Sequence, residues 1–155
     1  MGSIYREIKR PANIIKESIA CVVEKIHQSC DVNSTIVGLS MKWETLEVAE
    51  AIIEGARETT GDKAPLFVLG NIGATYGYKH LLKQRPFIDT IAVVGEGEDA
   101  LAGIVGVASK NLTSFREVSR YIGIPNVALN INGAISDVKI KPVDLENYPE
   151  FSRAT

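Results

Sequence analysis

Two cysteines and two histidines are all that 155 residues hold of the side chains most used for metal and redox chemistry. Cys21 and Cys30 do not form a CxxC pair, which argues against both a zinc knuckle and a disulfide framework. A reducing cytoplasm is the expectation that follows. Cys21 falls on a helical apolar stripe and reads as core, and Cys30 ends that helix. His27 and His80 have no acidic or cysteine partner at ligand spacing, so each reads as an ordinary histidine, with no metal site expected. CxxxCxxC is missing, which excludes an iron–sulfur cluster of that type in this chain. Missing too are GxGxxG after a strand, GxxxxGK[ST] and GxSxG. Basic excess is lacking: the net charge is −2, and the cluster Arg6, Lys9, Arg10 reads as a solvated terminus, so no nucleic-acid partner is expected. No apolar run approaches a membrane span or the apolar core of a signal peptide.

What is present is a regular alternation of apolar runs and helical stripes. Pro11 suits the first turn of a helix, and Ile15, Ile19, Val22, Val23 and Ile26 continue it to about residue 29. "STIVGLSM" (34–41), "APLFVLG" (64–70) and "TIAVVG" (90–95) read as buried strands. A helix with Leu46, Ala49, Ile52, Ile53 and Ala56 on one face separates the first two and stops at Gly61. A shorter helix over 76–84 precedes the third strand, and "DALAGIVGVASK" (99–110) follows it. Continuously apolar strands separated by helices predict an α/β protein with a parallel sheet covered on both faces. "IPNVALNINGAISDVKI" alternates on both sides of Asn132-Gly133, a two-residue hairpin signal. "KPVDLENYPEF" has no period and reads as a strap. The expected division is a helical segment over 1–33, an α/β core over 34–122, and the hairpin with its strap over 123–155. Three parallel strands are fewer than a doubly wound sheet normally has, so an open edge is expected that invites pairing.

Ligands of open parallel sheets bind beyond the carboxyl ends of the strands. That points to the stretches 39–43, 70–77 and 95–99, read here as three loops. Ser40, with Met41 beside it, can donate or accept at its strand end, or simply start a helix. Lys42 and Trp43 could lie over a ligand, or be ordinary surface. Gly70, Gly73 and Gly77, with Asn71 and Thr75 between them, would allow close backbone approach, although turn-making alone explains one or two of the glycines. Gly95, Glu96, Gly97 and Glu98 place two carboxylates at a strand mouth, which suits amide, hydroxyl or cation donors and repels phosphate. For Glu98 the simpler reading is a helix-start acid. No nucleophile stands nearby, and no catalytic constellation is expected. From the residues alone this is a small-molecule-binding α/β domain.

The succession "TIVGLS", "LFVLGNIGAT", "IDTIAVVGEGEDAL", "IPNVALNINGAI" and "KPVDLENYP" resembles the N-terminal cobalamin-binding half of cobalamin-dependent radical-SAM enzymes, a group that includes methyltransferases and porphyrin-ring cyclases. The likeness covers residues 34–149. It implies a flavodoxin-like (Rossmann-like) three-layer sandwich, truncated here to about three parallel strands plus a C-terminal hairpin. It also implies cobalamin held at the strand ends, with Gly38 to Ser40 facing its nucleotide tail and Gly95 to Glu98 at the corrin rim. Corrin side-chain amides would supply the donors that two glutamates want. Asn71 stands where the family commonly has a second glycine. No DxHxxG provides a lower cobalt ligand, and the family's first strand, loop and second strand have no counterpart. The implied partner is a radical-SAM domain or subunit, since this chain is not expected to be catalytic alone. The alternatives are a degenerate domain that docks or self-associates through its open edge, and a domain for another small ligand such as a nucleotide.

Overall fold

The computed structural model describes residues 12–29 and 35–142. The basic cluster before Pro11, Cys30 and the strap beyond Pro142 lie outside them.

Three uncharged strands form the centre: β1 (Ile36–Ser40), β2 (Leu66–Gly70) and β3 (Ile91–Val93). They are parallel and lie side by side in chain order, and β4 (Val127–Ala128) completes the sheet antiparallel to β3. Right-handed crossovers between strands laid down in this order put their connecting helices on one face. α2 (Leu46–Thr60) and α3 (Asn71–Leu81) lie there, with α1 (Ala12–Ser29) against α2.

The period of two along the strands decides which residues meet them. Phe67 and Leu69 pack with Ile53, Ala56, Ala74 and Leu81 on the α2–α3 face. Leu66, Val68, Ile91 and Val93 point the other way, onto Ala100, Ile104 and Ala108 of α4 (Glu98–Lys110) and onto Phe115 and Tyr121. Fully buried side chains such as Leu69, Ile91 and Ile104 each contribute about 1.5–3 kcal/mol by leaving water. The result is the expected three-layer α/β architecture, a truncated flavodoxin-like fold. No described helix is long and apolar enough to cross a membrane.

Beyond the sheet, β5 (Asn130–Ile131) and β6 (Ala134–Ile135) form the hairpin signalled by Asn132-Gly133. Both turn residues have positive φ, 53° and 90°, the conformation a two-residue type I′ turn requires.

Three expectations are corrected. Residues 71–77 are not a loop: α3 begins at Asn71, so Gly73, Thr75 and Gly77 are helical. The alternating stretch before Asn132 is not one hairpin arm, because Val127–Ala128 belongs to the main sheet and only Asn130–Ile131 pairs across the turn. Cys21 is exposed rather than core, and over residues 15–29 of α1 the buried positions are Val23 and Ile26.

Candidate functional site

The register of β1 on β2 builds the rim. Ile36 stands opposite Leu66 and the pairing runs without slip to Ser40 opposite Gly70, so both strands end at one level. Leu69 opposite Ala92 brings β3 to the same end. The segments that leave the three strands are therefore neighbours.

They are tied to one another by specific bonds. Asn71 Nδ2 donates to Ser40 Oγ at 2.8 Å, and Gly73 N donates to the Met41 carbonyl at 2.9 Å. Gly95 N donates to Thr75 Oγ1 at 3.0 Å, joining the turn after β3 to α3. Two positions need unusual backbone. Asn71 has φ of 72° and Gly95 has φ of 81°, and the Asn71 side chain stabilises its own turn by accepting from Ile72 N at 2.7 Å. Gly73 is required for contact rather than for φ: a Cβ there would stand 2.9 Å from the Met41 carbonyl oxygen.

Between the strand ends and the flank of α4 lies a cleft of about 440 Å³. Val68, Val93 and Leu101 make it apolar. Gly38, Gly70, Gly95 and Gly97 form a wall without side chains. A Cβ added at Gly38 or Gly70 would meet nothing within 4 Å, so these glycines leave real space. Ser40, Asn71 and Glu98 supply the polar groups at the mouth.

Ten of the residues singled out from the sequence divide into three sets. Ser40, Gly70, Asn71, Gly95 and Gly97 line the cleft. Met41 and Gly73 are buried behind the rim, and Thr75 holds Gly95 in place. Lys42 and Glu96 are exposed and are not part of the cleft wall. Glu98 is the first residue of α4, so it both complements the helix dipole and reaches the cleft. Trp43 is 58% exposed and its ring edge lies against Gly77, a buried position of α3.

Asn126 is the rim residue that sequence reasoning did not single out. It is 4% exposed with φ of 61°, and its Nδ2 donates to the Glu96 carbonyl at 3.0 Å and to the Lys141 carbonyl at 2.9 Å. Its Oδ1 accepts from Lys141 N at 2.6 Å. One side chain thus clamps the Glu96 turn to the segment that follows the hairpin. The only hint in the sequence is an Asn directly after Pro125, a turn-prone pair. Leu101 was missed as well, because a helical stripe shows its buried face but not its flanks.

Among the described residues no group of three or more His, Cys, Asp or Glu could hold a metal ion. His80 lies nine positions along α3 from the rim, about 14 Å at the helical rise, and pairs with Gln84 at 2.7 Å. The cleft offers shape, apolar area and a few hydrogen-bonding groups. Comparison with protein-family models, with curated proteins and with solved structures returned no match.

Proposed function

We propose that the chain is a corrinoid-binding module of the kind that serves radical-SAM enzymes, holding cobalamin while a partner supplies the catalytic centre. The observation that supports this reading is the glycine wall. Gly38, Gly70, Gly95 and Gly97 let a large guest approach the backbone of three successive strand ends, where open parallel sheets take their ligands. The polar groups at the mouth fit the cofactor. Corrin side-chain amides are N–H donors and carbonyl acceptors, and Glu98, Ser40 and Asn71 offer both complements. A phosphate-first ligand fits less well, because Glu98 occupies the start of α4, where an anion would otherwise bind.

The cleft is smaller than the whole cofactor, so it would take one edge or the nucleotide tail and leave the reactive face to a partner. When bound, the cofactor supplies its own cobalt chemistry. The residues of this chain bind it, orient it and exclude water from one side. The experiment is a visible absorption spectrum after incubation with hydroxocobalamin and desalting. Retained colour at one equivalent per chain supports the proposal. A colourless protein that still binds adenine nucleotides favours a nucleotide cleft, and a colourless protein that binds neither favours a pure interaction module.

A further inference from the structure

β1 forms the outer edge of the described sheet, and it carries neither the charge nor the proline that would keep an edge from pairing. It is uncharged from Ile36 to Ser40, contains no proline, and has the ordinary length of a strand. Its outward groups can be assigned. The Thr35 carbonyl accepts from Leu66 N at 3.0 Å and Met41 N donates to the Gly70 carbonyl at 2.9 Å, so the odd-numbered residues bond to β2. In a parallel ladder the alternate residues face the other side, which turns the N–H and C=O groups of Ile36, Gly38 and Ser40 outward.

The flank above this edge is apolar as well. On α1, Val23 faces α2, with a side-chain carbon 3.0 Å from where a Cβ on Gly55 would lie. Ile19 and Ile26 face the core. Ile15 and Val22, two turns apart on one line, therefore stand about a quarter-turn from Val23, beside the core-facing Ile19 and Ile26, and they are 40% and 39% exposed. A strand added beside β1 would lie under them.

We propose that β1 pairs antiparallel with β1 of a second copy of this chain, about a two-fold axis through Gly38. The register is self-complementary: Gly38 faces Gly38, Val37 faces Leu39, and Ile36 faces Ser40. Its hydrogen-bonded pairs are those whose groups point outward, giving about six inter-chain bonds. The same axis sets the two α1 helices antiparallel over the joined strands, with Ile15 and Val22 of each copy between them. The pair forms an isologous interface with a continuous sheet. The occupant is chosen by chemistry. Residues 3–8, "SIYREI", would set Arg6 and Glu7 on opposite faces of an added strand, one of them against the Ile15–Val22 flank, whereas β1 is uncharged on both faces. This inference does not rest on the corrinoid reading.

Sedimentation equilibrium at micromolar chain concentration tests it, with two substitutions. Gly38→Pro removes an outward N–H without removing a bond to β2, which edge strands tolerate. Val22→Glu places a charge at the α1 contact and touches neither the sheet nor the cleft. The native chain is expected at twice its mass of 16.8 kDa, with each variant raising the dissociation constant at least about tenfold and keeping its circular dichroism. If Gly38→Pro fails to fold, Val22→Glu decides alone. A monomeric native chain, or a dimer indifferent to Val22→Glu, overturns the proposal. So does slow amide exchange at Ile36, Gly38 and Ser40 in a monomer, which would assign the edge to the chain's own residues.

Discussion

Asn71 and Ser40 are joined across the ends of two adjacent strands, the Asn71 amide donating to the Ser40 hydroxyl at 2.8 Å. The contact exists because β1 and β2 end in register, and because Asn71 holds a left-handed backbone at the first position of α3. Alanine at 71 loses the bond and keeps the unfavourable φ, so Asn71→Ala is expected to cost about 1–2 kcal/mol in urea unfolding. Asn71→Gly loses the same bond but relieves the backbone, and should cost less. Equal losses in the two variants would show that the hydrogen bond, and not the backbone angle, sets the cost.

Gly73 and Gly77 look alike in sequence and differ in what a methyl group would strike. At Gly73 it meets the Met41 backbone, which cannot move without separating α3 from β1. At Gly77 it meets the Trp43 ring edge at 2.9 Å, and that ring is largely exposed and free to shift. Gly73→Ala should therefore cost about 2 kcal/mol or more, the penalty of overpacking. Gly77→Ala should fall within about 1 kcal/mol of the native chain, because helix propensity offsets the contact. Thermal unfolding of the two variants side by side checks this.

Tyr121 is fully buried and its hydroxyl donates to the Phe115 carbonyl. Burial holds its pKa above the ordinary tyrosine value. The folded state therefore keeps a proton that the unfolded chain releases near pH 10, so this stability is fully present below that pH and is lost as pH rises from there through the higher folded-state value. Urea midpoints at pH 8 and pH 10.5 should show a larger alkaline loss in the native chain than in Tyr121→Phe. At pH 8 the variant should be less stable by about 1–3 kcal/mol, since the Phe115 carbonyl loses its partner.

Asn126 and Lys141 make a similar contrast. The Asn126 side chain makes three bonds at a nearly inaccessible site, whereas the Lys141 ammonium forms an exposed ion pair with Asp99 at 3.0 Å. Asn126→Ala should cost about 2 kcal/mol or more, and Lys141→Ala less than about 1 kcal/mol. The reverse order would show that the rim is held by charge rather than by the amide.

Much of the fold is legible because apolar period is legible. The strands, α2 with its stop at Gly61, and the Asn132-Gly133 turn stand where their patterns place them. The start of α3 was not legible, because its first turn is held by tertiary contact: Asn71 enters with positive φ and Gly73 docks on Met41, so a helix opens in residues that read as a loop. β4 was hidden inside the hairpin pattern, since an alternating run does not say where it changes partner. For the site, the level at which strands end follows from register, which one strand's sequence does not carry. Asn126 works through contacts to Glu96 and Lys141 that no local spacing announces.

The central claim is that the open glycine wall takes a corrinoid, and Gly70 is its most direct probe. Gly70 has an extended backbone with φ of −130°, and a Cβ there would meet nothing within 4 Å, so Gly70→Val is expected to fold while its methyl groups fill the cleft. The measurement is the visible spectrum of both proteins after incubation with hydroxocobalamin and desalting. The native chain should retain the corrinoid bands and the folded variant should lose them; a native chain that emerges colourless, or a variant that retains as much colour, would contradict the account.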